Sequence, residues 1–282
     1  MVCDFLTQDS TYKSYAKINL FLKIVGKTQV NGINYHLLES RFMRVSHLYD
    51  VLTFDWSAQD FEVVGNFDCP MQQNTIYKAY RLLLPYLKES QKEALKHLRV
   101  LVDKKIPSGG GLGGGSSNAA CFLQGIHQKL KLDLDKQTLM NLGAQVGSDV
   151  PFFLSGLEIA NVEGRGEIVE SCDQEPFEVE IIIPKISCNT AKVFQKYSDS
   201  FYQEAKIKQI KSQNWLKKAN QEIFTKSALE NNDLLAAVLL LYPQLESYVK
   251  ENLFLSGSGS CFWRKKILRV NATESKDSTK VE

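Results

Sequence analysis

Long apolar runs are missing: nowhere do enough uncharged apolar residues follow one another to cross a bilayer. The opening Met1-Val2-Cys3-Asp4 does not begin the basic-then-apolar order of a secretory leader. An excess of one charge is missing too, with 34 Lys and Arg against 32 Asp and Glu and a net charge of +2. No overall field therefore recruits nucleic acid or anionic lipid. Cysteine is sparse: the six at 3, 69, 121, 172, 188 and 261 form no C-x-x-C pair and have no neighbouring His to complete a zinc set. Their spacing also excludes a disulfide framework, so a reducing compartment is expected. These absences point to a soluble, cytoplasmic protein with no nucleic-acid or membrane partner and no structural metal site. Internal repeats are absent as well.

What is present is ordinary globular material, 44% hydrophobic and 23% charged over 282 residues. At roughly 150 residues per domain the length suits two domains. From Tyr15 to Val25 the residues alternate, with Ala16, Ile18, Leu20, Leu22 and Ile24 on one face and Lys17, Asn19, Phe21 and Lys23 on the other, the pattern of a half-buried strand. Asn31-Gly32 marks a turn, and strands are expected near Leu37 to Val45 and Asp50 to Asp55. A helix is expected from Asn74 to Leu87 with Pro85 at its end, then a strand from His97 to Val102. Ala119, Phe122, Leu123, Ile126 and Leu130 stand at helical spacing, and a second helix, Asp135 to Val146, is expected to end on a left-handed Gly147. Glu178 to Ile183 reads as a strand, Lys192 to Lys226 as a basic, solvated helical region, and Phe254 to Trp263 as strand, tight turn, strand. Asn271 to Glu282 is a polar tail with the composition of a disordered segment.

The most informative segment is Pro107-Ser108-Gly109-Gly110-Gly111-Leu112-Gly113-Gly114-Gly115-Ser116-Ser117, with six glycines in seven residues from 109 to 115. A flexible linker would explain the glycines, but this run passes directly into an amphipathic helix rather than joining two units. Glycines let backbone N–H groups converge on a phosphate, and the helix adds its positive end. Ser116 and Ser117 can bond phosphate or Mg²⁺. Gly110 and Gly115 have the spacing of a Walker loop, yet Ser116 stands where that loop needs Lys. Gly109-x-Gly111-x-x-Gly114 fits the dinucleotide pattern, and Asp133 and Asp135 lie at the distance of its ribose acid. Asp103 to Pro107, however, separates the glycines from their strand.

Pro107-x-Gly-Gly-Gly-Leu-Gly-Gly-Gly-Ser-Ser resembles the central phosphate-binding motif of the GHMP kinases, the group that contains galactokinase, homoserine kinase and mevalonate kinase. Three further segments resemble that family in its order: Ala16-Lys17-Ile18-Asn19-Leu20-Phe21-Leu22, Gly147-Ser148-Asp149-Val150-Pro151-Phe152-Phe153, and Ser256-Gly257-Ser258-Gly259-Ser260-Cys261. The resemblance spans residues 16 to 261. It implies an α+β fold of two domains: a ribosomal-protein-S5-domain-2-like, ATP-binding N-terminal domain over 1–162 and a ferredoxin-like, substrate-binding C-terminal domain over 163–270, followed by the tail at 271–282.

By the same resemblance, Lys17 and Asp149 are the catalytic residues. ATP phosphates are implied for Pro107, Gly109, Gly110, Gly111, Leu112, Gly113, Gly114, Gly115, Ser116 and Ser117, with Mg²⁺ carried on the nucleotide. Asn34-Tyr35-His36 is similar to the Gly-Tyr-His of a branch acting on a cytidine diphosphate-linked alcohol, with Asn34 in place of Gly. In that branch Tyr35 and Phe194 would sandwich cytosine, His36 would read its edge, and Asn19 and Asp149 would bind the alcohol. Ser256, Gly257, Ser258 and Gly259 would wall the site. Taken alone each residue has a plainer explanation: Asp149 as a turn or cap after Gly147, Lys17 as a solvated strand residue, His36 as a structural histidine, the last glycines as a β-turn. The implied reaction is ATP-dependent phosphorylation of the 2-hydroxyl of a cytidylyl methylerythritol, in the non-mevalonate route to isoprenoid precursors, by a monomer or weak homodimer. A homoserine or mevalonate kinase, and a catalytically silent nucleotide-binding module, are the competing readings.

Overall fold

The computed structural model describes residues 11–30, 32–251 and 253–266. The polar tail expected at 271–282, Cys3 and Asn31 lie outside the described residues. Two long strands form the spine, β1 (Thr11–Val30) and β2 (Ile33–Asp55), paired antiparallel and joined at Gly32, whose φ of +77° suits glycine. β2 carries β1 along one edge. Its other edge takes β4 (Arg99–Asp103) beside its C-terminal half and β5 (Ile159–Gly164) beside its N-terminal half. β3 (Glu62–Gly65) adds parallel to β4, and β6 (Ile168–Ser171) antiparallel to β5. The two strands expected at 37–45 and 50–55 are thus one continuous strand. A register shift between Tyr15 and Ala16 of β1 absorbs residues 46 to 48 of β2 without ending it.

β1 also corrects the expected half-buried strand, since every residue from Ser14 to Val25 is buried. Helices cover the first sheet: α1 (Thr75–Leu83), α2 (Glu89–Lys96), α3 (Gly114–Lys129), α4 (Lys136–Val146) and α5 (Val150–Ser155). A second sheet, β7 (Val179–Ile182), β8 (Phe254–Leu255) and β9 (Phe262–Lys265) in the order β7-β9-β8, packs on Ala16, Ile18 and Leu20 through Val179 and Trp263. A bulge between Asn19 and Phe21 then switches the faces of β1. Leu22 and Ile24 join the other core with Phe42 and Leu38, instead of continuing the stripe of Ile18 and Leu20.

α3 follows its expected stripe, with Ala119, Phe122, Leu123 and Ile126 wholly buried. Asn74 caps α1 and Asp135 caps α4 by accepting from backbone N–H groups. Gly147 is not left-handed as expected; it is extended (φ −175°), because the chain turns at once into α5, whose Val150 N–H reaches the Gly147 carbonyl at 3.1 Å. The C-terminal part holds α6 (Thr190–Ser200), α7 (Glu204–Ser212), α8 (Asn220–Phe224), α9 (Ala228–Asn231), α10 (Leu235–Leu241) and α11 (Glu246–Lys250), and α7 is solvated as expected of the basic region. The α+β class in two sheet-centred parts is as expected. The first sheet runs on through β6 to Ser171, so the division expected at 162 falls inside β5. Among the described residues no helix is long and apolar enough to cross a membrane, and Cys69, Cys172, Cys188 and Cys261 are free thiols.

Candidate active site

One cavity of about 1090 Å³ opens between the glycine loop, the middle of the β1–β2 pair and α6. Its floor is β1, where the bulge sets Lys17, Asn19 and Leu22 all toward the cavity. Lys17 is 3% exposed, its ammonium donating to Asn19 Oδ1 at 2.7 Å and lying 3.3 Å from Asp149 Oδ2 and 4.5 Å from the Phe42 ring centre. Asn19 in turn donates to Ser40 Oγ at 2.9 Å, which fixes its amide so that the oxygen faces Lys17. Asp149 stands at the entry to α5 with no capping bond of its own, so its carboxylate is left to the cavity.

The loop from Pro107 to Gly113 lies over Lys17. Its Gly109, Gly111 and Gly113 have φ of +64°, +73° and +70°, and buried Leu112 pins the middle. Such a path turns successive N–H groups inward, and α3 then begins on Gly113 with its positive end at the same place. A Cβ on Gly111 would lie 2.0 Å from the Ser256 carbonyl oxygen, so only glycine lets the loop approach so closely. Behind the loop, Ser260 and Cys261 N–H groups donate to the carbonyls of Gly109 and Gly110 at 3.0 and 3.1 Å, and Ser256 Oγ donates to that of Gly111 at 2.9 Å. Asn232 steadies this third glycine run by donating to the Leu255 and Gly257 carbonyls. Burial pushes the Cys188 and Cys261 thiols up to about 11 and about 12, so the wall beside the loop stays uncharged.

At the far end, Tyr35 and His36 of β2 and Phe194 of α6 line the cavity. The His36 ring lies 5.3 Å from the Phe194 ring at 33°, and its Nε2 is 2.8 Å from Ser198 Oγ. Burial first, and Lys27 second, hold the imidazole below its ordinary range and therefore neutral near pH 7.

All but three of the expected site residues line this cavity. Ser117 is the clearest correction: it is buried and accepts from Ser14 Oγ at 2.8 Å, because adjacent positions on a helix point about 100° apart and Ser116 takes the cavity side. Ser256 and Gly259 sit behind the loop as its support, while Gly257 and Ser258 form the wall. Residues beyond those expected also line it. Thr190 bonds Ser258 at 2.8 Å, and Lys104 reaches Asp50 at 2.5 Å and Asn118 at 3.1 Å. Wholly buried Asp50 also accepts from the N–H groups of Lys105 and Ile106, tying the start of the loop to β2. The charged Asp103-Lys104-Lys105 run was the only trace of this in sequence, and it carries no periodic signal.

A glycine loop that runs into the N-terminus of α3, with a Lys–carboxylate pair at its foot, makes a site for moving a phosphoryl group to a neutral oxygen. The comparisons agree. The family model described as GHMP kinases N terminal domain matches residues 74–157. A Sulfurimonas denitrificans 4-diphosphocytidyl-2-C-methyl-D-erythritol kinase is 42% identical over 267 residues, covering 90% of this chain and 96% of that protein. The enzyme of that name from Sulfurovum sp. is 40% identical over 255 residues, with 90% and 98% covered. A crystal structure of 4-(cytidine 5'-diphospho)-2C-methyl-D-erythritol kinase superposes with a TM-score of 0.65 at 26% identity, covering 90% of this chain and 88% of that one. The Methanococcus jannaschii mevalonate kinase shares the fold, with a TM-score of 0.61 at 14% identity over 93% and 92% of the two chains. The class is therefore that of the GHMP small-molecule kinases, phosphotransferases with an alcohol acceptor. Within that class the chain belongs to the 4-diphosphocytidyl-2-C-methyl-D-erythritol kinase family.

Proposed function

We propose that the protein transfers the γ-phosphoryl group of ATP to the 2-hydroxyl of 4-diphosphocytidyl-2-C-methyl-D-erythritol, a step toward isoprenoid precursors, in the cytoplasm. The observation that carries this is the Lys17–Asp149 pair, 3.3 Å apart, at the foot of the glycine loop in the same cavity as Tyr35, His36 and Phe194. Phosphoryl transfer asks the protein mainly for position and charge. Backbone N–H groups from Gly109 to Gly115, the end of α3 and Ser116 take the phosphates. Lys17, held by Asn19, offsets the charge that builds on the transferring group, and Asp149 accepts the proton of the attacking hydroxyl.

Tyr35 and Phe194 bracket the cytosine ring. Neutral His36 bonds its polar edge, and its second nitrogen keeps Ser198. The described residues form no group of three or more His, Cys, Asp or Glu side chains fit to hold a metal. A nucleotide-borne Mg²⁺ needs only one or two protein oxygens, which Asp149 and Ser116 offer in this cavity, and there it would neutralise phosphate charge.

Purified Asp149→Asn and Lys17→Ala variants are expected to bind ATP while losing turnover by about 10²-fold or more. Near-normal turnover in both would remove the pair from the mechanism.

A further inference from the structure

The cavity is lined by four cations among the described residues: Lys17, Lys27, Lys104 and Arg165. Lys17 and Lys104 flank the glycine loop, each beside a carboxylate. Lys27 lies 3.9 Å over the Tyr202 ring, on the His36 side. Arg165 differs from all three in where it is held. It occupies the turn between β5 and β6, and its guanidinium carbon is 5.2 Å from the centre of the Tyr35 ring.

That turn is built tightly. Glu167 accepts from the Arg165 backbone N–H at 2.5 Å with one oxygen and from its Nε at 3.0 Å with the other. Gly166 (φ +122°) packs so closely on Ser148 that a Cβ there would lie 3.0 Å from the Ser148 Cβ. The turn is thus fastened to the residue preceding Asp149. Among the described residues the Arg165 side chain has a hydrogen-bond partner only at Nε, which leaves both terminal amino groups of this cavity-lining residue without one.

We propose that Arg165 is a binding residue for the diphosphate of a nucleoside diphosphate-linked substrate, its terminal amino groups forking onto the phosphate oxygens while Glu167 acts as a positioning residue. This rests on the function proposed above. There the base lies at Tyr35 and the reacting hydroxyl at Asp149, so the two phosphates that join them must pass between, where Arg165 sits. A planar guanidinium pinned at one edge presents two parallel donors at the other, the geometry that fits phosphate, and a lysine offers only a point charge. The stacking on Tyr35 leaves the opposite face of that ring for the base.

Calorimetric titration of the full chain with CDP and with cytidine tests this without relying on turnover. The wild type is expected to bind CDP at least about tenfold more tightly than cytidine, and Arg165→Met to lose about tenfold in CDP affinity while keeping cytidine affinity. Arg165→Lys, which keeps charge and stem and stands in if the methionine variant does not fold, should lose about threefold for CDP alone. An unchanged CDP-to-cytidine ratio in these variants, or an equal loss for both ligands, would overturn the proposal by reducing Arg165 to a packing partner of Tyr35. A wild type that binds neither ligand would instead remove the function on which it rests.

Discussion

His36 shows how a single side chain carries a pH dependence. Burial and Lys27 both lower its pKa, so between its folded pKa and the ordinary value near 6.5 the unfolded chain binds the extra proton. Its contribution to stability is therefore complete above the unfolded value and is lost as pH falls through that window. Cytidine affinity should fall as pH drops through the lowered folded-state value, below 6.5, because a protonated imidazole loses its acceptor nitrogen. Titration between pH 7.5 and 5 should show this loss in the wild type and a flat profile in His36→Asn; a flat wild-type profile would detach the ring from base recognition. The residue types at this end were legible in the Asn34-Tyr35-His36 run. The Ser198 and Lys27 neighbours were not: Ser198 reaches His36 from α6, distant in sequence, and Lys27 faces it across the β1–β2 hairpin in a register that no local pattern defines.

Among the elements, the glycine loop is the least tolerant of substitution. Gly111→Ala places a methyl group onto the Ser256 carbonyl at a positive φ, and a cost of about 1–3 kcal/mol together with weakened ATP binding is expected. Gly32→Ala, also at positive φ but with nothing near its Cβ, should cost about 1 kcal/mol and leave ATP affinity unchanged. Thermal melts and nucleotide titration of the two variants check the contrast, and equal behaviour would show that the approach to Ser256 does not matter. Helix α3 and the loop were readable from sequence because spacing alone defines them. β1 was readable as a strand but not in its faces: the bulge that turns Leu22 toward the site comes from pairing with β2, not from local pattern. α5 escaped notice because six residues after Asp149 are too few for a periodic signal, although Pro151 sits where helices admit proline.

At the scale of the whole molecule, the two sheets share their cores. Ala16, Ile18 and Leu20 of β1 pack with Trp263 of β9, whose indole N–H donates to the Asn19 carbonyl at 3.0 Å, and the glycine loop is bonded to the β8–β9 turn along its back. The protein should therefore unfold in one calorimetric transition rather than one per sheet. Trp263→Phe, which leaves that buried carbonyl without its indole partner, should lower stability by about 1–3 kcal/mol. The two-part architecture was implied by the family resemblance that the four motifs carry. Of the residues that lock the parts together, Ser256 was marked by the third glycine motif, though as a site wall and not as a support, while Asn232 and Trp263 carry no signature outside three dimensions.

The central claim is that this cavity brings ATP to a cytidine diphosphate-linked alcohol, and initial rates of ADP release measure it most directly. Release is expected with 4-diphosphocytidyl-2-C-methyl-D-erythritol, with competition by CDP, and none above background with homoserine or mevalonate. Turnover of either acid in preference to the cytidylyl substrate, or no ADP from any of the three, would contradict it.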